Sequence, residues 1–274
     1  MCIQIQRNTE VIPLEQRKLV SSRYHRVTRA INKFFWSTDS DTSHSLYVGS
    51  YGRGTAISTS DFDILFELPQ SEFARYSRYT SNGQSQLLQD VRAALKGTFS
   101  RTDIRGDGQV VSINFADGMK FEILPAFQDT ASNGMRSYKY PDTHMGGKWL
   151  STDPKAEQQA MHAKNTGSHG LLFDTCKAFR RVRDEIFASY HLGGIVIDSF
   201  VYQAIKNWQW LESGASSSVE NPIADYLRNL HAAYNQLTMD CMFQILLAPG
   251  SYDVVDYEQD YAVLGKVINY LQNV

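Results

Sequence analysis

The chain has too few cysteines to be held together by them. Only Cys2, Cys176 and Cys241 occur in 274 residues, odd in number and far apart. Neither a disulfide framework nor a cysteine-rich zinc knuckle can be built from them, and a reducing compartment is implied. Long apolar runs are missing too. No stretch approaches the ~20 consecutive apolar residues that a membrane-crossing helix needs, and the opening "MCIQIQRNTEV" has no apolar centre of the secretory kind. The expected setting is therefore cytoplasmic, with no membrane role. Charge of one sign is also lacking. A formal net charge of -2 provides no broad positive field to draw in a large nucleic acid, but it leaves room for a small anionic substrate. The seven histidines show no metal-ligand spacing, and there are no internal repeats. What remains, 42% hydrophobic and 20% charged, is ordinary globular composition in a chain long enough for one large domain or two lobes.

Periodicity organises this material. Leu14 to Trp36 is expected to form an amphipathic helix, with Val20, Tyr24, Val27, Ile31, Phe34 and Phe35 at helical spacing. "SLYVGS" reads as a short strand entering a glycine turn, and "DFDILFEL" as a strand closed by Pro69. Ser85 to Phe99 reads as a helix. "QVVSINF" and "MKFEILPAF" read as strands around the turn Ala116-Asp117-Gly118. From Gln128 to Pro154 the text is polar and turn-rich, a connection in which Tyr138 and Tyr140 mark at most a short strand. Beyond Pro154 the pattern is helical at 155–165, 170–189, 198–211, 222–234 and onward to about Leu271, with "ESGASSSVEN" as a flexible loop. These patterns predict an α+β chain. A mixed-sheet lobe with helices takes residues 1–150, including the long first helix. A helical lobe takes residues 151–274, with a cleft between the two.

One stretch departs from pure packing logic. "VGSYGRGTAISTSDFDILFELP" gathers glycines and hydroxyls, then sets Asp61 and Asp63 among Phe62, Ile64, Leu65 and Phe66. Strand side chains alternate, so the two aspartates share a face opposite the apolar one. Like charges this close normally persist because a cation neutralises them, and carboxylate pairs suit Mg2+ held together with substrate phosphates. The bland reading, two solvated aspartates on a wet strand face, loses ground to the residues just upstream. The glycine turn at Gly49 and Ser50 can aim backbone N–H groups and a hydroxyl at a phosphate. The turn lacks the Gly-Lys-Ser/Thr end of a P-loop, and its order Gly49-x-x-Gly52-x-Gly54 is not the dinucleotide-binding one. Metal-assisted phosphoryl or nucleotidyl transfer is the chemistry these residues favour. Glu122, alone among the apolar residues of "MKFEILPAF", becomes a third ligand or a general base. Farther on, Lys177, Arg180, Arg181 and Arg183 form a charge run that reads as a solvated helix face. Lys177, set among apolar neighbours, is the member suited to a triphosphate. His44 is expected to be structural.

"GSYGRGTAISTSDFDILFELP" followed by "FEILPAF" resembles the GS-x(n)-D-x-D signature of the DNA polymerase β-like nucleotidyltransferases. Together with "RYHRVTRAINKFFW", "WLSTDPKAEQQAMHAKN" and "LLFDTCKAFRRVRDE", it resembles more narrowly the bacterial cGAS/DncV-like nucleotidyltransferases, the CD-NTases. The resemblance runs from about Ser21 to Phe200. It implies the two-lobed polymerase β-like fold and a synthase that joins nucleoside triphosphates (ATP, GTP or UTP/CTP) into a cyclic di- or trinucleotide, releasing pyrophosphate. Such a signal acts through a separate effector protein in anti-phage defence. By resemblance, Asp61, Asp63 and Glu122 hold Mg2+ or Mn2+, Gly49 and Ser50 form the donor turn, and Lys177 and Ser199 contact the triphosphate. The third acid is Glu122 where many relatives carry Asp. The zinc-binding insertion of the animal DNA sensor is absent, so activation by double-stranded DNA is not implied. Competing expectations are a transferase that modifies a protein or tRNA, and a nucleotide-sensing pseudo-enzyme.

Overall fold

A computed structural model of the chain describes residues 2–8, 11–130, 136–211, 222–239 and 242–274. The expected loop "ESGASSSVEN" and Cys241 lie outside the described residues. The chain divides into two compact units. One, a sheet unit, comprises Pro13–Gly52 and Ser60–Pro154. The other, mainly helical, comprises Met1–Ile12, Arg53–Thr59 and Lys155–Val274. A single cut after residue 150 was the expectation from sequence. The division instead falls after Pro154, and two short upstream segments go with the helices.

The sheet unit opens with α1 (Leu14–Phe35). It buries Val20, Tyr24, Val27 and Ile31, spaced four, three and four apart, as one face of a helix should. Then follow β1 (Ser45–Tyr47), the single turn α2 (Gly49–Gly52) and β2 (Phe62–Glu67). Next come α3 (Gln70–Ser77) and α4 (Gly83–Thr98), the latter capped by Asn82, whose side chain accepts from the Ser85 N–H at 2.9 Å. Strands β3 (Asp103–Asp107), β4 (Val110–Asn114), β5 (Lys120–Thr130), β6 (Arg136–Asp142) and β7 (Lys148–Thr152) complete the unit. The order is β1-β2-β5-β4-β3, with β6 pairing both β5 and β7.

The long β5 is central. Its first half runs parallel to β2, in register from Phe62 opposite Phe121 to Glu67 opposite Ala126, and its second half pairs antiparallel with β6. Phe62, Ile64 and Phe66 are buried on one face of β2, while Leu65 packs on the other against Val48, Ala126 and Tyr138. His44 is structural, as expected: its ring stacks on Trp36 at 3.9 Å and its Nδ1 lies 2.7 Å from Asn32 Oδ1.

The helical unit contains α5 (Pro154–Gly167), α6 (Leu171–Ile186), α7 (Gly194–Ala204) and α8 (Pro222–Gln236). Two-residue strands follow: β8 (Thr238–Met239), β9 (Met242–Phe243), β10 (Leu246–Leu247) and β11 (Val254–Val255). The last helix is α9 (Tyr261–Gln272). Its core joins Phe179, Phe200, Val201 and Leu264 with Ile3 and Ile5 from the start of the chain. Among the described residues no helix is long and apolar enough to cross a membrane.

Candidate active site

In the sheet unit, β2 and β5 bring the acidic residues together. Because these strands are parallel and Asp63 is the register partner of Glu122, the two carboxylates stand side by side on one face of the sheet. Asp61 sits just before β2 and reaches the same neighbourhood through Lys120, the first residue of β5. The Lys120 Nζ donates to Asp61 Oδ2 at 3.0 Å and lies 2.5 Å from Glu122 Oε1. Partial burial by itself would lower the pKa of the Lys120 ammonium, but the hydrogen bonds to Glu122 and Asp61 outweigh it and hold the group well above its ordinary value. Lys120 is therefore charged. The sequence pattern gave no prominence to this lysine, although it lies two residues from Glu122 on the same strand face. The repulsion between the two aspartates, expected to call for a neutralising cation, is met in part by Lys120, which pairs with Asp61.

The glycine turn is tied to the same strand. The Val48 N–H donates to the Asp63 carbonyl at 2.9 Å, and the Gly52 N–H donates back to the Val48 carbonyl at 2.9 Å, closing the single turn of α2. Gly49 has φ +58°, and a Cβ built on it would lie 1.8 Å from Asp63 Oδ2. The carboxylate thus fills the space a side chain would occupy, and only glycine serves at this position. Ser50, half-buried in the same turn, is its neighbour.

The residues just past the turn behave differently. Arg53 is 7% exposed and donates from Nε to Asp198 Oδ2 and from Nη1 to Glu157 Oε2, both at 2.8 Å. Thr55 Oγ1 donates to Asp198 Oδ2 at 3.0 Å. From α6, Arg180 donates to Asp198 Oδ1 at 2.7 Å and Oδ2 at 2.9 Å, and to the Gly194 carbonyl at 3.0 Å. Asp198 is wholly buried. Burial alone would raise its pKa, but Arg180 and Arg53 overcome this and hold it below the usual carboxylate value. Glu157 shows the opposite balance: burial pushes it up, and Arg53 offsets only part. Gly54, with φ +81°, lies against Phe173, whose ring would meet a Cβ at 2.5 Å. The glycine-rich stretch is thus two devices, a turn beside Asp63 and a segment packed into the helical unit. Arg180, expected on a solvated face, is among the most deeply buried side chains. Its neighbours in the charge run behave as expected of a surface, with Arg181 pairing with Glu185 and Arg183 with Asp184.

Lys177 lies half-buried on α6. Ser199, on α7 next to Asp198, is fully buried, and its Oγ has no hydrogen-bond partner among the described residues. A ligand arriving from solvent does not reach it as placed.

Divalent-cation chemistry can be tested against these residues. Asp61 Oδ2 and Glu122 Oε1 already converge on one positive charge, the Lys120 ammonium, which is a stand-in for a cation. Hard carboxylate oxygens of this kind suit Mg2+ or Mn2+, so the donor set fits. As the side chains stand, no group of three or more His, Cys, Asp or Glu among the described residues is gathered closely enough to hold an ion.

Residues 6–165 match the family model described as the Second Messenger Oligonucleotide or Dinucleotide Synthetase domain, SMODS. A curated relative, the cyclic AMP-AMP-AMP synthase of Acinetobacter sp. (strain ATCC 27244 / 9458), is 26% identical over 143 residues, which are 52% of this chain but only 40% of the relative. The chain therefore spans well under two thirds of the length of that protein in the match. Solved structures share the fold. The CdnE cyclic dinucleotide synthase of Elizabethkingia meningoseptica, with GTP and Apcpp, aligns with a TM-score of 0.64 at 13% identity over 92% of this chain and 90% of its own. The CD-NTase CdnG of Bradyrhizobium diazoefficiens, in complex with GTP, aligns with a TM-score of 0.66 at 13% identity over 97% and 86%. At these identities the likeness speaks for the fold, which is the α+β polymerase β-like architecture that the sequence suggested.

Proposed function

Because the chain belongs to the Second Messenger Oligonucleotide or Dinucleotide Synthetase family, we propose that it joins nucleoside triphosphates into a cyclic di- or trinucleotide signal in the cytoplasm, acting on a separate effector in anti-phage defence. The observation that carries this reading is the side-by-side placement of Asp63 and Glu122 on β2 and β5, with Asp61 linked to them through Lys120. These three carboxylates are the proposed cation ligands. When bound there, Mg2+ or Mn2+ supplies positive charge that activates a ribose hydroxyl and neutralises the departing pyrophosphate.

The chain's own contribution is placement. Gly49 leaves room for the Asp63 carboxylate, and the turn at Gly49 and Ser50 offers N–H and hydroxyl donors to a phosphate. Lys177 is proposed as a point charge for a triphosphate. In each joining step a ribose hydroxyl oxygen bonds the α-phosphorus of a second nucleotide, its proton leaves, and the bond to pyrophosphate breaks. After one joining step for a dinucleotide, or two for a trinucleotide, a last such step within the linear product closes the ring and releases a further pyrophosphate.

The test is to incubate the purified chain with each radiolabelled NTP, singly and in mixtures, with Mg2+. Phosphatase-resistant small products and released pyrophosphate are expected. The Asp61→Asn, Asp63→Asn double variant should lose activity by orders of magnitude while its stability stays within about 1 kcal/mol of the parent, since the Lys120–Asp61 pair that it removes is partly exposed. Label transferred to a macromolecule, or an active double variant, would overturn the reading.

A further inference from the structure

Lys120 has one geometry and two partners. It opens β5, two residues before Glu122, so its side chain runs along the strand face that also carries Glu122 and, across the parallel pair, Asp63. Its ammonium lies 3.0 Å from Asp61 and 2.5 Å from Glu122. The three side chains are 35%, 46% and 27% exposed. Water therefore reaches the cluster, and the lysine stem, free to rotate about four bonds, has space to leave it. Three carboxylates against one ammonium leave the cluster with a formal charge of two minus, so the ammonium alone does not neutralise it.

The same oxygens cannot fully serve both cations. An ion coordinating Asp61 and Glu122 must take lone pairs now given to the Lys120 N–H groups. We propose that Lys120 is a positioning residue that holds the place of the cation in the empty site and yields it on loading. This keeps the affinity for a free divalent ion low, so that the ion is taken up together with a triphosphate. The displaced ammonium then has a new partner in the incoming phosphate oxygens, which is what makes joint loading more favourable than loading of the ion alone. This inference rests on the reading of Asp61, Asp63 and Glu122 as cation ligands.

The experiment measures Mn2+ binding to the purified full chain, by calorimetry and by the Mn2+ paramagnetic resonance signal, with and without a non-hydrolysable ATP analogue. In the absence of nucleotide, Lys120→Met should bind Mn2+ about tenfold more tightly than wild type, equivalent to about 1.4 kcal/mol. Lys120→Arg keeps the charge and should stay near wild type. The gain in Mn2+ affinity on adding the analogue should be several-fold smaller in Lys120→Met, because no ammonium is left to be re-partnered. Lys120→Gln, closer in length and polarity, serves the same purpose if the Met variant does not fold. Equal or weaker Mn2+ binding by both neutral variants would overturn the role of Lys120. The Asp61→Asn, Asp63→Asn variant separates the two failures. If it binds Mn2+ as wild type does, the carboxylate site itself is misread and the inference falls with it. If it loses Mn2+ while the neutral Lys120 variants show no gain, the site stands and only the role of Lys120 is lost.

Discussion

Replacing Gly49 with alanine adds a single methyl group, and its consequences can be worked out from the structure. The new Cβ would sit 1.8 Å from Asp63 Oδ2 and 2.6 Å from its Cγ, closer than real Cβ contacts come. Opening the backbone would stretch the bond from the Val48 N–H to the Asp63 carbonyl at 2.9 Å, whereas the clashing atoms belong to the Asp63 side chain. The carboxylate must therefore retreat by at least about 1.2 Å to reach the 3.0 Å limit. Misplacement of a reacting or ligating group by about 1 Å costs on the order of 100-fold in rate. Holding a non-glycine residue at φ +58° costs a further ~1–2 kcal/mol of stability. Gly49→Ala should accordingly lower product formation about 100-fold, weaken Mn2+ binding, and shift the urea midpoint by the equivalent of ~1–3 kcal/mol. Gly97 near the end of α4 is the control: nothing lies within 4 Å of a Cβ there, so Gly97→Ala should keep full activity and gain up to about 1 kcal/mol. A Gly49→Ala protein with wild-type turnover and Mn2+ affinity would refute the idea that Asp63 occupies that space for a reason.

The buried ion cluster makes two further predictions. Asp198→Asn keeps the shape but leaves the Arg53 and Arg180 guanidinium groups buried without their shared anion. It should cost about 3–5 kcal/mol, a large share of the ~5–15 kcal/mol that stabilises a typical domain, and a loss below about 1 kcal/mol in urea unfolding would show the network to be dispensable. Glu157 gives a pH signature. Burial raises its folded pKa above the 4.5 of a free glutamate, so its contribution is fully present below that value and is lost as the pH rises through the raised one. Arg53→Met removes the partly compensating charge, so the stability gap between variant and parent should narrow as the pH falls from about 7 to 4.5. A gap independent of pH would count against it. Asp198, held low, works in the opposite sense and loses its contribution only in stronger acid.

Much of the fold was legible because periodicity was strong. The first helix was expected from Leu14 to Trp36 and runs from Leu14 to Phe35, its face of Val20, Tyr24, Val27 and Ile31 being long and regular. The acidic residues were legible for the converse reason: Asp61 and Asp63 break an otherwise apolar strand. Three things were not. Strand β7 and the full extent of β6, of which Tyr138 and Tyr140 gave only a short hint, lie in a polar stretch where pairing with each other and with the end of β5, rather than an apolar alternation, makes the sheet. Helix α7 was expected to begin at Asp198 but begins at Gly194, and Asp198 lies inside it as the anion of a buried cluster. Arg180 and Lys120 were obscure because a charged residue's partner lies far away in sequence, at Asp198 for one and at Asp61 for the other, and local patterns carry no record of such pairs.

The seven residues Arg53–Thr59, which belong with the helices although both their neighbours belong with the sheet, have a consequence for heredity and engineering. The chain changes unit after Ile12, Gly52, Thr59 and Pro154, so no single cut yields two self-sufficient pieces. A fragment starting at Lys155 would carry Glu157, Arg180 and Asp198 but not Arg53, leaving two interior anions with one cation. Swapping the C-terminal portion between relatives would likewise require residues 53–59 to travel with it, or the acceptor to supply a matching arginine. Residues 53–59 and the helices downstream are thus bound to change as a pair, a graft at one demanding a compatible partner at the other.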